Sequence, residues 1–213
     1  MPGTITHMDP GRNSPARICI FLDGAFAFSA HVDVVVRYEL HVGQALSTET
    51  QQAVLAADAE RKAYDQAWKY LGHKPRTEHE TQQKLLRAGC DPDAIAQVVS
   101  TLRTQGYLDD AAYAERYVTA RFRNRGLGPR RLRAELCRRG VATEFIDSAL
   151  AQLSYEDIMD GASRLIQKRG PRLLQEPSTH LRMKKLMDYL RLRGYSADVA
   201  RLVIDQWGHQ HDA

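Results

Sequence analysis

Nine arginines stand between residues 111 and 140, at Arg116, Arg121, Arg123, Arg125, Arg130, Arg131, Arg133, Arg138 and Arg139, against two acids, Glu115 and Glu135. A guanidinium is a planar fork of donors that matches phosphate or carboxylate two bonds at a time, so this density points to a polyanion: a nucleic acid or an acidic protein surface. The competing account is a solvated helix face, but such faces interleave both signs for pairing one turn apart, and here acids are nearly absent. The asymmetry is regional. Residues 1–60 carry 3 basic and 7 acidic side chains, while the whole chain is only +4.

Other chemistry-bearing residues read as structural. Asp109-Asp110 has the look of the carboxylate pairs that hold magnesium, yet those sit at a turn inside a sheet with a third acid elsewhere. Here Gly106 ends one helix, and Asp109 is placed to cap the next, where its charge also meets the positive helix end. His73 and His79 lie six residues apart with no acid or cysteine completing a ligand set. Cys19, Cys90 and Cys137 are too scattered for a zinc site or disulfide framework and read as reduced, partly buried thiols. No nucleophile and base pair, phosphate-binding loop or dinucleotide fingerprint is present. The expectation is a protein that is not an enzyme and takes no cofactor or metal. No run approaches the roughly 18 apolar residues of a membrane span, and no leader pattern opens the chain. A soluble cytoplasmic protein without membrane contact is expected.

The elements that must position the arginines follow from periodicity. Residues 1–15 are rich in Gly, Pro, Asn and Ser and read as a flexible tail. Residues 16–57 read as an extension: a β-hairpin in which Ile18, Ile20 and Leu22 alternate before Asp23-Gly24 and Phe26 and Phe28 after it, then a short helix near 31–38. Helix starts are expected at Ser47-Thr48 and at Asp58. From there the chain repeats itself. Gly89, Gly140 and Gly194 are preceded four residues earlier by Leu85, Leu136 and Leu190 and followed four later by Asp93, Glu144 and Asp198. Downstream, Val98 aligns with Ala149 and Val203, Val99 with Leu150 and Ile204, and Leu102 with Leu153 and Trp207. Each copy is a helix, a left-handed glycine that ends it and a second helix, with room for a third helix ahead of the pair. The fold class is therefore mostly α, three tandem three-helix repeats at 58–106, 107–153 and 154–208 in an elongated array. Thr77 with Glu80 forms a capping box, Pro129 suits a first helical position, and Asp91 caps ahead of Pro92.

On this scaffold Leu132 and Leu136 define the inner stripe of the helix after Pro129, leaving Arg130, Arg131, Arg133 and Arg138 outward at about 100° per residue. In the preceding helix Tyr113, Tyr117 and Ala120 form one apolar stripe and Val118 and Phe122 a second. Arg116 and Arg123 share a flank, whereas Arg121 lies between the stripes and suits packing or ion pairing. With Arg125 and with Lys184 and Lys185 of the third repeat, these make a candidate basic face: Arg116, Arg123, Arg125, Arg130, Arg131, Arg133, Arg138, Lys184 and Lys185. The third-repeat cluster, which also includes Arg191 and Arg193, reads more simply as a solvated face.

Gly106-Tyr107-Leu108-Asp109-Asp110, then Tyr113-Ala114, Tyr117-Val118 and Arg121, then the run from Gly126 through Pro129 and Glu135 to Leu136, and Arg139-Gly140 together resemble the central signature of the RecX family. Tyr113 replaces the commoner Phe, and Cys137 sits among polar neighbours. The resemblance spans about residues 58–208 and is most specific in the second repeat, while the amino-terminal part resembles an extension of some members. What the resemblance implies is a regulator of the RecA recombinase, usually an inhibitor, lying in the groove of the RecA-DNA filament and limiting filament growth, strand exchange and ATP hydrolysis. Partners so implied are RecA, its filament and DNA, single-stranded or duplex, in homologous recombination, DNA repair and the SOS response. The alternative is a stand-alone helical DNA-binding protein, which would need a base-reading helix in each repeat. The second paired helices begin acidic and apolar, against that reading.

Overall fold

The computed structural model describes residues 2–11 and 14–211, with no account of the side chains of residues 210 and 211. The chain divides into two compact units, residues 1–76 with 81–108, and residues 77–80 with 109–213.

The first unit opens with a four-stranded antiparallel sheet in the order β3-β2-β1-β4, from β1 (Gly3–Gly11), β2 (Ser14–Leu22), β3 (Ala25–His31) and β4 (Ala45–Leu46). The expected hairpin is present, with Asp23 at φ 49° and Gly24 at φ 84° forming the tight turn between β2 and β3. The expected flexible tail is corrected: residues 3–11 form a strand that pairs along β2, and Ile5 is fully buried. Pro10 is tolerated because β4 pairs only with Gly3 and Thr4, which leaves the far end of β1 an edge. Asp23 fastens the turn to β1, accepting from the Thr4 amide at 3.0 Å, while the Gly24 amide donates to Thr6 Oγ1 at 3.0 Å. Helix α1 (Val32–Arg37) covers the sheet with Val34 and Val35.

A second correction concerns the two helix starts at Ser47 and Asp58. Helix α2 is one continuous element, Thr48–Leu71, of 24 residues, capped by Ser47. Asp58 sits within it, only 9% exposed, and accepts from Arg17 Nη2 and from the His31 amide, both at 2.7 Å. Its carboxylate is consumed in tying β2 and β3 to the helix. Helices α3 (Glu78–Arg87) and α4 (Pro92–Thr104) follow, with Thr77 and Asp91 as the expected caps. Leu85, Val99 and Leu102 fill the core they share with α2.

The second unit holds α5 (Asp110–Arg125), α6 (Pro129–Cys137), α7 (Thr143–Ala151), α8 (Tyr155–Arg169), α9 (Thr179–Arg193) and α10 (Ala197–His211), with a 3-10 turn at Gly170–Leu173. Gly89, Gly140 and Gly194 all adopt positive φ, at 73°, 74° and 95°. Leu85, Leu136 and Leu190, four residues ahead of them, are fully buried. The chain is thus mostly helical with a small amino-terminal sheet and helices in repeated threes. Helix α5 departs from its two-stripe reading: Ala114, Val118 and Phe122 are buried, Tyr113 and Tyr117 are half-buried, and Ala120 is exposed. Cys90 is buried and Cys19 half-buried, but Cys137 is exposed, contrary to expectation. Among the described residues no helix is long and apolar enough to cross a membrane.

Candidate polyanion-binding cleft

The second unit contains an open cleft of about 1200 Å³ between α5, α6, α8 and α9. Nine cations line it, Arg121, Arg123, Arg125, Arg131, Arg138, Arg139, Arg164, Lys168 and Arg193, against one carboxylate, Glu135. Gly161 of α8 forms part of the floor. A Cβ there would lie 2.9 Å from both the Phe122 ring and the Tyr195 hydroxyl, so only glycine lets α8 come this close to α5.

The walls are tied by groups that also line the cleft. Arg131 Nη1 donates to the Leu192 carbonyl at 3.0 Å, and Arg193 Nη1 to the Arg125 carbonyl at 2.6 Å. Backbone bonds join the same two segments, Gly128 N to Arg193 O at 2.8 Å and Arg130 N to Gly194 O at 3.0 Å. Two tyrosine rings order further arginines. Arg121 and Arg139 lie over Tyr117 at 5.1 and 4.7 Å, and Arg169 and Arg193 over Tyr189 at 4.7 and 5.3 Å. Guanidinium groups held this way lose less freedom when an anion arrives.

Glu135 is the internal counter-ion. It accepts from Tyr117 Oη at 2.5 Å and from Arg131 Nε at 3.2 Å. Burial favours its neutral form, but those two hydrogen bonds and the charges of Arg131 and Arg139 outweigh it, holding the carboxyl below its ordinary value. Burial and the Glu135 hydrogen bond push the Tyr117 phenol up, against the charges of Arg139 and Arg121. Tyr117 therefore stays a neutral donor, and Glu135 stays ionised.

Glu135, with Glu80 at 3.8 Å from Arg139 Nε and Asp157 in the field of Arg123 and Arg164, does not offset nine cations. Among the described residues Arg121, Arg123, Arg125, Arg164 and Lys168 make no ion pair with a carboxylate. Like charges concentrated in a concave site raise the local potential and attract polyanions.

The candidate basic face is distributed differently from its helical-wheel reading. Arg123, Arg125, Arg131 and Arg138 line the cleft, whereas Arg116 borders a separate shallow depression with Thr119 and Gln152. Arg133 pairs with Asp147 across to α7, and Arg130 is exposed outside the cleft. Lys185 pairs with Glu176, and Lys184 is exposed away from the cleft. The outward arginines of α6 are thus not one patch. Arg121, which the wheel gives to packing or ion pairing, packs over the Tyr117 ring and also lines the cleft.

Arg139, Arg164, Lys168 and Arg193 lie outside the candidate face that the sequence outlines. Arg164 and Lys168, four apart on α8 with no acid between them, carry a usable signal; Arg193 reaches the cleft only through the docking of the α9 end on α6. Asp109 caps α5, its Oδ1 accepting from the Ala112 amide at 2.8 Å, and Asp110 Oδ1 accepts from the Glu78 amide at 3.0 Å. Both carboxylates serve helix starts.

Comparison with known proteins agrees with this architecture. The model of the RecX amino-terminal domain matches residues 3–47, that of the first RecX three-helix domain residues 63–102 and that of the second residues 109–150. A regulatory protein RecX from Leuconostoc citreum is 34% identical over 197 residues, covering 92% of this chain and 74% of that protein. The one from Bacillus subtilis is 28% identical over 208 residues, covering 98% and 78%. A crystal structure of a regulatory protein RecX superposes with a TM-score of 0.77 at 28% identity, covering 95% of this chain and 99% of that one. The structure of RecX from Lactobacillus salivarius gives a TM-score of 0.66 at 25% identity, covering 70% and 97%.

Proposed function

Because the chain belongs to the RecX family of regulatory proteins, we propose that it regulates the RecA recombinase by binding, as an inhibitor that contacts the RecA-DNA filament and performs no chemistry of its own. The observation that carries the contact is the cleft of the second unit, with nine cations against Glu135. A phosphate backbone is the polyanion that best suits it. Phosphates recur along a strand, arginine forks take them two bonds at a time, and binding gains entropy from released counter-ions. Several weak contacts along a filament then add through multivalency. Lying in the filament groove, the chain would limit filament growth, and with it strand exchange and ATP hydrolysis.

The test replaces Arg121, Arg164 and Lys168 with Gln, three cleft cations that bond no carboxylate among the described residues. Melting temperature, single-stranded DNA affinity across a salt series and inhibition of RecA-driven ATP hydrolysis are measured on the same protein. The fold is expected to survive, the slope of log affinity against log salt to flatten by about 0.7 for each phosphate no longer neutralised, and inhibition to fall. Affinity and inhibition both equal to the parent would refute the cleft as the contact. Weakened DNA affinity with full inhibition would show that the cleft binds DNA without carrying the contact that regulates RecA, and no inhibition even by the parent chain would point to a stand-alone DNA-binding role instead.

A further inference from the structure

Three aromatic side chains meet at the surface of the first unit, where the last turns of α2 approach the end of α4. Tyr64 and Trp68, one turn apart on α2, have ring centroids 6.0 Å apart, and Tyr107 lies against Trp68 at 4.4 Å. Both pairs meet edge to face, at 69°, so no two of these rings are stacked face to face. Trp68 is 37% and Tyr107 52% exposed, although each could bury well over 100 Å² in a core.

The fold holds these rings at the surface. Gly106, at φ 77°, turns the chain after α4, the Tyr107 amide donates to the Leu102 carbonyl at 2.9 Å, and the next residue, Leu108, is 1% exposed. The buried Leu108 anchors a backbone that leaves Tyr107 outside. Tyr64 Oη donates to Gln105 Oε1 at 3.3 Å and fixes the other side of the cluster. The flanking segment is basic. Residues 66–77 carry Lys69, Lys74 and Arg76 and no acid, and Lys69 and Lys74 are exposed.

Exposed aromatic rings beside exposed cations are the chemistry of single-stranded nucleic acid: every base offers a π-face to stack on, and phosphates follow the cations. We infer that Trp68 and Tyr107 form a stacking platform for an unpaired nucleobase, a site in the first unit additional to the cleft of the second. It rests on the proposed nucleic-acid contact and narrows the ligand to single strands, because a base inside a duplex has no free face.

Two oligomers of equal charge separate the platform from phosphate binding, a thymidine dodecamer and an abasic deoxyribose-phosphate dodecamer. Tryptophan emission and affinity are followed for the full chain; Trp207, 4% exposed in the core of the third helix trio, supplies a constant background. The platform predicts that the thymidine oligomer quenches emission and binds more tightly than the abasic one, by roughly 5- to 100-fold for one stacked base. Tyr107→Leu, which keeps an apolar side chain at an exposed site, is expected to remove that preference with melting temperature and abasic affinity unchanged. The cleft variant described above lowers affinity for both oligomers alike. Equal binding of both oligomers by the parent overturns the platform alone, and binding of neither overturns the nucleic-acid reading as well. A Tyr107→Leu protein that keeps the base preference yet inhibits RecA poorly makes the patch a protein contact and overturns the platform.

Discussion

The backbones of Gly128 and Gly194 touch: a Cβ on Gly128 would lie 2.6 Å from both the carbonyl carbon and the carbonyl oxygen of Gly194. The contact joins the start of α6 to the turn between α9 and α10, next to the cleft residues Leu127 and Arg193. The Gly140 turn makes a parallel contact, a Cβ there falling 2.3 Å from His79 Cβ while Thr77 Oγ1 donates to the Arg139 carbonyl at 2.7 Å. In both, the residue capping a first paired helix donates to the carbonyl just before the turn glycine of the next repeat. The turn glycines thus end helices and also pack against the residues that start another helix.

Gly128→Ala is expected to cost about 1 to 3 kcal/mol, as for overpacking, because the backbones must part and strain two hydrogen bonds. Gly128 has an ordinary negative φ of −75°, so the effect is steric rather than conformational. Gly89→Ala is the counterpart, with open space around its Cβ and a φ of 73°, and should cost about 1 kcal/mol through backbone strain alone. Denaturant midpoints of both variants test the difference, and a parent-like Gly128→Ala would show that the close approach is relaxed in solution.

Asp58→Asn is expected to destabilise the first unit by about 1 to 3 kcal/mol, since it leaves Arg17 and the His31 amide without their charged acceptor. Hydrogen exchange should locate the effect at β2 and β3, with the His31 amide among the first to lose protection. Uniform protection in the variant would mean that the ion pair does not hold the sheet to α2.

Asp109→Ala should cost about 0.5 to 2 kcal/mol, the usual range for removing a helix cap. Its carboxylate serves the Ala112 amide, so calorimetry with magnesium or manganese should show no binding that the substitution removes. Metal binding that disappears while stability is retained would contradict the capping role.

Tyr195 is 1% exposed and its hydroxyl finds no partner among the described residues, while burial pushes its pKa up to about 12. A phenol raised in the folded state stabilises the fold below its unfolded value near 10, and that contribution is lost as pH rises through 12. Stability should therefore fall between pH 10 and 12, and Tyr195→Phe should reduce the slope. At neutral pH the same substitution removes an unsatisfied polar atom and should be neutral or slightly stabilising. A large loss of stability in Tyr195→Phe at pH 7 would reveal a hydrogen bond to that hydroxyl in solution.

Local signals are legible because they act over a few residues. Asp23-Gly24 makes its turn, Thr77, Asp91 and Asp109 cap their helices, and the leucines four before Gly89, Gly140 and Gly194 are buried, all through backbone geometry within one or two turns. The strand at residues 3–11 is not legible, since Gly, Pro and Asp interrupt its alternation and its order comes from pairing with β2. Asp58 misleads for a related reason. Aspartate favours helix starts, and Arg17, 41 residues away, together with the His31 amide makes its burial inside α2 tolerable.

From the sequence alone come the fold class, the repeat and the concentration of arginine in the second repeat, because period, glycine and charge are properties of residue types. Which arginines act together is decided by tertiary structure. Arg133 and Lys185 are spent on Asp147 and Glu176, while Arg164, Lys168 and Arg193 arrive from α8 and α9 to join Arg121 and Arg123 from α5. A helical wheel can say that a side chain points outward, but what it meets there depends on elements dozens of residues away. The cleft exists because the close Gly128 and Gly194 backbones and the small Gly161 allow α8 and α9 to stand beside α5 and α6.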